Sequence, residues 1–239
     1  MLNKIQRKLL GFFNRGLIIL PDSNAASASI SMDKIASLLK KNSNINITNI
    51  FEIGANLGQD AENLRALFKL GQKDVFVFEP HPDLFNRLIQ RYNFNAFNLA
   101  IGDKTAVIDF NFVKQTTLNS GVSSARKHKT LNEDLFFTQK TQLLTLKDFV
   151  ESNNIKSIDL LKIDVEGCTY EVISGAGDFI NNIKVIQLES ELNEVWEGQV
   201  TFHLVVDFLS SKQFQMVHFE LLDGNQCDSM WIRKEYLKK

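Results

Sequence analysis

The chain has 239 residues, of which 44% are hydrophobic, so it can bury a sizeable core in one large domain or two small ones. The net charge is −1 and the pI is near 6.4, an overall balance without the strongly basic surface that a nucleic-acid partner usually needs. The two cysteines, Cys168 and Cys227, lie far apart and form neither a metal-ligand pattern nor a disulfide framework. A reduced, cytoplasmic setting without nucleic acid is therefore expected.

Residues 1–20 combine basic and apolar side chains in a pattern typical of an amphipathic helix. The longest uncharged apolar stretch is far shorter than the ~18 residues that a membrane span needs. Arg15 interrupts what would be the core of a signal peptide, and no small-residue cleavage site is obvious. We expect this segment to pack on its own domain or to mediate homo-oligomer formation, with peripheral contact to an anionic membrane as the alternative.

A second helix is predicted before the main alternating pattern begins. Ser31 is its expected N-cap, and the apolar residues that follow fall on one face. The polar stretch 41–49 ends this helix. We therefore assign residues 1–48 to an N-terminal helical extension and residues 49–239 to the main domain.

From residue 50 the sequence alternates between short apolar runs, which predict buried strands, and amphipathic helices. The first three predicted strands are Ile50–Ile53, Val75–Phe78 and 96–101. Pro82 suits the first turn of the helix that follows the second strand. The apolar stripe of that helix is predicted to consist of Phe85, Leu88, Ile89 and Tyr92. Continuous apolar strands that alternate with helices favour a parallel sheet covered on both faces.

The regular alternation of strands and helices then stops. Residues 106–113 alternate as an exposed strand does, and a strand resumes at 141–146. Between them, residues 114–140 are polar and irregular, apart from a short helix indicated by the capping-box pair Thr130 and Glu133. A connection of this length inside a compact domain is usually functional or mobile, so we interpret 114–140 as a substrate-side insertion.

The last third of the chain returns to strands and helices. Core strands are predicted at 158–164 and 183–189, followed by a helix with Phe202, Val205, Val206 and Leu209 on one face. The runs 213–219 and 228–236 flank a Gly-Asn loop and are typical of a hairpin. Repeated strand–helix steps followed by a hairpin predict one α/β domain.

The stretch FEIGANLGQD at 51–60 joins the first strand to its helix through a glycine-bearing turn. Counted from Gly54, the dinucleotide pattern G-x-G-x-x-G fails at Asn56 and Gln59, and no Gly-Lys-Ser/Thr phosphate loop follows. The turn still provides a tight bend and free backbone N–H groups at a helix N-terminus. Glu79 ends the second strand, where an acid accepts from both hydroxyls of a ribose. This combination favours a nucleoside over a dinucleotide, and S-adenosylmethionine is such a ligand.

A third charged motif, LLKIDVEG at 160–167, lies at the end of a core strand and in the turn after it. It carries Lys162, Asp164 and Glu166 in alternation. In open α/β sheets ligands bind outside the carboxyl ends of the strands. Charged residues at that edge are costly unless they are paired or used, so the motif indicates either a functional site or a mutual ion-pair network.

These motifs occur together in a characteristic order. They read FEIGANLGQ, VFVFEPHP, NLAIGD, NSGVSS, LLTLKDF and LLKIDVEG…EVISGA…IQLE. In this order the chain resembles the FkbM family of S-adenosylmethionine-dependent methyltransferases from about residue 50 to 190, and the final DSMWIRKEY is similar to that family's last strand. The resemblance implies a class I methyltransferase (Rossmann-like) fold, a mostly parallel seven-stranded sheet with an antiparallel last strand and helices on both faces.

The resemblance also implies a set of cofactor-binding residues. They are Glu52, Gly54, Ala55, Asn56, Gly58, Glu79, Ile101, Asp103 and Asp164. Glu79 is expected to bind the ribose, and Glu52, where many relatives have aspartate, the methionine ammonium directly or through water. Asp103 either accepts from the adenine amine or is an ordinary turn aspartate.

Catalysis and substrate binding are expected at the same edge of the sheet. Asp164 and Glu189 are the first candidates for the general base, and His128 is the second unless it belongs to a basic patch. The candidate substrate-binding residues are Lys162, Glu166, Ser120, Ser123 and Ser124. Alternatives stay open: an ion-pair network for Lys162 and Glu166, a helix cap for Glu166, and a solvated loop for the serines. No metal is expected.

The predicted function is S-adenosylmethionine-dependent O-methylation of a sugar or glycan hydroxyl, on a glycolipid, a polysaccharide or a sugar-nucleotide precursor. The FkbM resemblance carries this prediction, since that family usually methylates hydroxyl groups and often those of sugars. One alternative is transfer to a secondary-metabolite hydroxyl, an amine or a carboxylate. Another is a non-catalytic scaffold that keeps a cofactor pocket.

Overall fold

The computed structural model describes residues 30–114, 122–222 and 224–239, which form ten strands and six α-helices. The strands are β1 (Ile50–Ile53), β2 (Val75–Phe78), β3 (Asn95–Phe97), β4 (Ala100–Gly102), β5 (Ala106–Val113), β6 (Phe136–Thr145), β7 (Ile158–Ile163), β8 (Ile183–Glu191), β9 (Phe214–Leu221) and β10 (Gln226–Arg233). The helices are α1 (Met32–Asn42), α2 (Gln59–Phe68), α3 (Pro82–Arg91), α4 (Leu146–Ser152), α5 (Thr169–Ser174) and α6 (Phe202–Ser211). No helix in these ranges is long and apolar enough to cross a membrane.

Seven strands form a central sheet in the order β3-β2-β1-β7-β8-β10-β9. Neighbours pair in parallel on the β3 side as far as β8, and β10 pairs antiparallel with both β8 and β9. The predicted seven-stranded sheet with an antiparallel last strand and the predicted terminal hairpin are therefore confirmed. All residues of β1 and β7 are buried, as expected for parallel strands covered on both faces.

Apolar side chains cover the two faces of the sheet separately. Leu161 packs in a cluster with residues of α4, α5 and α6, whereas its neighbour Leu160 packs in a cluster with residues of α1 and α2. This division follows from the two-residue period of a strand, which sends adjacent side chains to opposite faces. Ile30 and Ile35, from the predicted N-terminal extension, belong to the second cluster. Residues 1–29, with the predicted amphipathic helix, lie outside the described residues.

A second, three-stranded sheet in the order β4-β6-β5 corrects the expected third strand at 96–101. The chain leaves the central sheet after β3 and enters the small sheet at β4. Asn98, between the two strands, donates its side-chain amide to the carbonyl oxygens of Glu79 and Pro80, which fixes the bend. One apolar run is thus divided between two sheets.

The interval 114–140 is also more regular than the sequence indicates. Strand β6 begins at Phe136 and pairs with all eight residues of β5. The strand predicted at 141–146 therefore starts five residues earlier. The predicted capping box at Thr130 is wrong: a short 3₁₀ segment, Glu133–Leu135, is capped by the side chain of Asn132. Residues 115–121 lie outside the described residues.

Helix ends mostly follow the sequence, but one helix face does not. The side chains of Ser31 and Thr145 accept from backbone N–H groups at the starts of α1 and α4, as N-caps do. In α3 the buried residues are Leu84 and Leu88, whereas Ile89, predicted to be in the stripe, is 48% exposed. Each residue turns a helix by about 100°. The predicted stripe began at Phe85, one residue after Leu84, and it therefore included a residue on the exposed face.

Candidate active site

A cavity of about 560 Å³ lies at the carboxyl ends of β1, β2 and β7, beside the small sheet. This volume is within the range of roughly 300–1,000 Å³ that small-molecule sites occupy. Ten of the residues singled out in the sequence line it: Gly54, Asn56, Glu79, Ile101, Asp103, Ser123, Ser124, Asp164, Glu166 and Glu189. The predicted edge of the sheet thus gathers residues from distant parts of the chain into one site.

The glycine turn after β1 has a stereochemical reason. Gly54 has a positive φ of 85°, and a Cβ at this position would lie 1.9 Å from the backbone oxygen of Asp164. Glycine is therefore required where the turns after β1 and β7 pass each other. Gly58 also has a positive φ, of 77°, but it does not line the cavity. The absence of a side chain at Gly58 leaves room for the ring of Tyr92. Ala55 is likewise buried in an apolar cluster away from the cavity lining.

Glu79 follows β2 and presents a buried carboxylate to the cavity. Its Oε2 accepts from the backbone N–H of Asn56 at 2.7 Å, and its Oε1 accepts from that of His81 at 2.8 Å. Burial raises the pKa of Glu79 to about 7, although these two hydrogen bonds oppose the rise. Because each carboxylate oxygen has two lone pairs, both oxygens keep acceptor capacity for a ligand.

Lys162 lies beneath the cavity, at the centre of three ion pairs. Its ammonium is 2.9 Å from Asp164, 3.1 Å from Glu52 and 3.1 Å from Asp60, and its side chain is 3% exposed. Burial alone would lower the pKa of Lys162, but attraction to the three carboxylates raises it well above its usual value. Lys162 does not line the cavity, so the structure places it in the ion-pair network that the sequence left open as an alternative.

Glu52 belongs to the same network and does not line the cavity. Burial raises its pKa to about 7, and the attraction of Lys162 opposes the rise. Its Oε2 has no hydrogen-bond partner within the described ranges. The predicted contact of Glu52 with a methionine ammonium, directly or through water, stays a prediction. In this structure Glu52 pairs with the lysine that in turn pairs with Asp164.

Two further carboxyl groups, Glu166 and Glu189, lie at the mouth of the cavity. Burial raises the pKa of Glu189 to about 9, and repulsion from Asp164 and Glu166 adds to the rise. Burial likewise raises the pKa of Glu166 to about 8, with a contribution from Glu191. Burial and mutual repulsion therefore favour the protonated forms of both groups when no cation lies nearby.

The turn after β7 is held by hydrogen bonds from neighbouring elements. Glu191 at the end of β8 accepts from the backbone N–H of Gly167 at 2.9 Å and from the amide of Gln199 at 2.7 Å. The N-cap position of α5 is Cys168 without a side-chain hydrogen bond, so Glu166 does not cap this helix. A Cβ on Gly167 would lie 2.6 Å from the ring of Trp196, which packs directly against the turn.

Two serines of the NSGVSS motif, Ser123 and Ser124, form hydrogen bonds that hold their own loop. Ser123 Oγ accepts from the backbone N–H of Val113 at 3.1 Å. Ser124 Oγ donates to the backbone oxygen of Glu166 at 2.6 Å, which connects this loop to the turn after β7. Ser120 lies outside the described residues.

His128 is not brought to the large cavity. It pairs as an isolated bridge with Trp196, and the two ring centroids are 4.8 Å apart in an edge contact. It lines a smaller, neighbouring cavity instead. The structure therefore separates the second candidate for the general base from the first two.

Several cavity residues were not identified from the sequence. Gln226 donates to Glu189 at 2.9 Å because β10 pairs antiparallel with β8, and this register cannot be inferred from either segment alone. Arg126 and Glu171 line the cavity as an ion pair at 2.5 Å. For Arg126 the signal was the basic run ARKHK, although its partner on α5 lies 45 residues away.

Metal binding was not expected from the sequence. Within the described ranges, no group of three or more His, Cys, Asp or Glu side chains has an arrangement that would hold a metal ion. The large cavity does fit a nucleoside-bearing cation. Its volume, the remaining acceptor capacity of Glu79 and the carboxyl groups opposite are the features that suit such a ligand.

The order of the central sheet, its antiparallel last strand, and the cavity beside Gly54 and Glu79 define a class I methyltransferase. The family model described as the Methyltransferase FkbM domain matches residues 52–216. The chain therefore belongs to the FkbM methyltransferase family, which confirms the resemblance seen in the sequence motifs. It is an S-adenosylmethionine-dependent methyltransferase.

Two named proteins are similar to this chain in sequence. The 2-O-methyltransferase NoeI of Sinorhizobium fredii is 28% identical over 196 residues, which cover 77% of each chain. The hexuronic acid methyltransferase AglP of Haloferax volcanii is 27% identical over 143 residues, 59% of this chain and 54% of that protein, so the chain spans about half of that relative. The crystal structure of methyltransferase FkbM from Methylobacillus flagellatus KT has a TM-score of 0.49 and 15% identity, over 78% of this chain and 44% of that one.

Proposed function

We propose that this enzyme transfers a methyl group from S-adenosylmethionine to a hydroxyl of a sugar or glycan. The observation that carries the proposal is that Glu79, Asp164 and Glu189 line one cavity at the carboxyl ends of the strands. The name of one relative, a 2-O-methyltransferase, supports transfer to an oxygen, and that of the other, a hexuronic acid methyltransferase, supports a sugar as the acceptor.

On the cofactor side, Glu79 would accept from the ribose hydroxyls through its remaining lone pairs. Gly54 and Asn56 line the same part of the cavity and would contact the cofactor through backbone and a small polar side chain. Ile101 and Asp103 line it further along and would border the adenine. Glu52 would act indirectly, by holding Lys162 against Asp164.

The carboxyl groups at the mouth suit both the donor and the reaction. Bound S-adenosylmethionine supplies a methyl group activated by its sulfonium leaving group. A cation beside Glu166 and Glu189 favours their ionised forms and opposes the rise that burial causes in their pKa values. Asp164, paired with Lys162, or an ionised Glu189 would then accept the proton of the acceptor hydroxyl.

Replacement of the two candidate bases tests this assignment. A positioned general base contributes about 10²–10⁴-fold to rate, so Asp164→Asn or Glu189→Gln should lose turnover by that factor while cofactor affinity stays near that of the parent. Calorimetric titration with S-adenosylmethionine measures the affinity. Glu151→Gln, at an exposed position on α4, is the control. Near-parental turnover in both variants would remove these residues as the base.

The acceptor is tested by product analysis. The enzyme would be incubated with labelled S-adenosylmethionine and a set of sugar nucleotides, glycolipids and oligosaccharides, and the labelled product located by mass spectrometry. Label on a sugar oxygen is the expected result. Label on an amine or a carboxylate would replace the proposal with the corresponding transfer, and an enzyme that binds no S-adenosylmethionine would contradict it altogether.

A further inference from the structure

A second cavity, of about 190 Å³, adjoins the large one at Arg126, which lines both. Lys127 and His128 follow Arg126 in its lining, and Leu131 and Phe136 add apolar surface. The chain around Arg126 is held in place by its neighbours. The backbones of Asn111 and Ser124 pair with each other, and the amide of Asn111 donates to the carbonyl oxygen of Arg126 at 3.1 Å.

The guanidinium of Arg126 at this junction interacts with Glu171, the backbone of Glu197 and the thiol of Cys168, and one of its nitrogens, Nε, lacks an oxygen acceptor among the described residues. One terminal nitrogen donates to Glu171, and the other donates to the backbone oxygen of Glu197 at 3.0 Å. The Nε–H is buried. A buried N–H without an oxygen acceptor costs free energy, and an anionic oxygen that reached it would form a charge-assisted hydrogen bond.

His128 adds a second donor. Its Nδ1 accepts from the backbone N–H groups of Leu131 at 3.0 Å and Thr130 at 3.2 Å, so the ring proton is assigned to Nε2. Burial lowers the pKa of His128, which favours the neutral ring. The histidine is thereby fixed as an Nε2–H donor within the lining of the small cavity.

The two cavities differ in charge. The large cavity is lined by seven acidic residues (Glu79, Asp103, Asp109, Asp164, Glu166, Glu171 and Glu189) and two basic ones (Lys104 and Arg126). The small cavity has Arg126 and Lys127 against a single acid, Glu133. An anionic group on an acceptor would be repelled by the first lining and attracted by the second.

We propose that the small cavity binds an anionic oxygen group of the acceptor, a carboxylate or a phosphate, while the hydroxyl to be methylated lies in the large cavity. This inference rests on the proposed function, because it assumes that the acceptor occupies the space shared at Arg126. It makes Arg126, Lys127 and His128 specificity-determining residues, which select acidic or phosphorylated sugars over neutral ones.

The test is an NMR titration of the full chain saturated with S-adenosylhomocysteine. The probes are glucuronate, glucose 6-phosphate, inorganic phosphate and the neutral methyl glucoside, each at millimolar concentration and constant ionic strength. We expect the anionic probes to shift the signals of the His128 ring, assigned with His128→Gln, and the neutral sugar to leave them unchanged. Glucuronate alone would identify a carboxylate, and the two phosphates alone would identify a phosphate.

Variants measure the contribution of each cation. A hydrogen bond to a charged group is worth about 1.5–3 kcal/mol, so Arg126→Gln should weaken binding about 10- to 100-fold. Because this change leaves Glu171 without its partner, Lys127→Gln provides a test that does not risk the fold. Lys127 is 61% exposed and ion-paired with Glu133, and its loss should weaken binding about 2- to 5-fold. Lys147→Gln, at an exposed lysine paired with Glu151, is the matched control.

The outcomes separate the two proposals. If S-adenosylhomocysteine binds and no anionic probe shifts the His128 signals, or if Lys127→Gln binds the probes as tightly as Lys147→Gln does, this inference is overturned and the proposed function stands. If the neutral sugar causes the same shifts as the anions, the selectivity is overturned. If S-adenosylhomocysteine itself does not bind, the proposed function fails first.

Discussion

Glu52 and Glu79 lie at the ends of neighbouring parallel strands, both are buried, and burial raises the pKa of each to about 7. Their partners differ. Glu52 pairs with Lys162, whereas Glu79 accepts from two backbone N–H groups and lines the cavity. Similar burial and similar pKa shifts thus occur in two different positions. Glu52 supports Lys162 beneath the cavity, whereas Glu79 faces the cavity itself.

The difference follows from strand register. Glu52 is within β1, directly opposite Lys162 of β7, and side chains opposite each other in a sheet lie on the same face. Glu79 stands one residue beyond β2, where the chain turns away and the side chain can enter the space outside the strand ends. Substitutions at Lys162, Glu79, Glu189 and Glu52 test how burial and partners set the role of each charge.

Replacement of Lys162 should have the largest effect on stability. Lys162→Met leaves Glu52 buried with no counter-charge and removes the partner of Asp60 and Asp164. Breaking a buried ion pair costs about 3–5 kcal/mol, and urea denaturation should show a loss of that size in the free energy of unfolding. Lys147→Met, at an exposed position, is the control and should stay near the parent. Equal stability of the two variants would show that the network is not structural.

Replacement of Glu79 should affect ligand binding more than folding. Glu79→Gln loses the charged acceptor, and hydrogen bonds to charged groups contribute about 1.5–3 kcal/mol, so affinity for S-adenosylmethionine should fall about 10- to 100-fold. Calorimetry at pH 8, above the pKa of about 7, is the suitable measurement because the parent carboxyl is then ionised. An affinity equal to that of the parent would remove Glu79 as the ribose ligand.

Replacement of Glu189 should stabilise the free protein at high pH. The pKa of Glu189 is raised from 4.5 to about 9, so between these values the folded protein keeps a proton that the unfolded chain releases. The free energy of unfolding of the parent therefore falls as the pH rises through this window. Glu189→Gln lacks this decrease, because glutamine does not titrate. We expect its Tm to exceed that of the parent by about 2–4 °C at pH 8, with a smaller difference at pH 5. A constant difference across this range would contradict the assigned shift.

Replacement of Glu52 should have the smallest effect. Glu52→Gln removes a buried charge but leaves Lys162 paired with Asp60 and Asp164, so the change in unfolding free energy should stay within about 1 kcal/mol. Affinity for S-adenosylmethionine should remain close to that of the parent, in contrast to Glu79→Gln. A large loss of affinity would instead show that Glu52 binds the methionine ammonium, as the sequence had indicated.

Much of the fold was predictable because its signals are local. The buried strands read as apolar runs, and the apolar face of α6 was assigned in full, with Phe202, Val205, Val206 and Leu209 all buried. The face of α3 was assigned wrongly because a short helix with apolar residues at 84, 85, 88 and 89 is ambiguous by one position. Only the burial of Leu84 and Leu88 in the folded structure resolves that ambiguity.

The candidate site was predictable in part for the same reason. Glu79 and Asp164 immediately follow apolar strands, so their place at the carboxyl edge follows from chain order and the rules for parallel sheets. The small cavity was not predictable, because Arg126 meets Glu171 and Glu197 only after distant segments pack together. The same holds for the hydrogen bond from Gln226 to Glu189.

The alternation of strands and helices, the glycine turn and the set of charged residues at one edge of the sheet follow from the amino-acid sequence alone. Which of those charges are ion-paired beneath the cavity and which line it follows only from the folded structure, because the role of a charge depends on its partners and its burial. Both are set by strand register and by contacts between residues far apart in the chain, as the separate positions of Glu52 and Glu79 show.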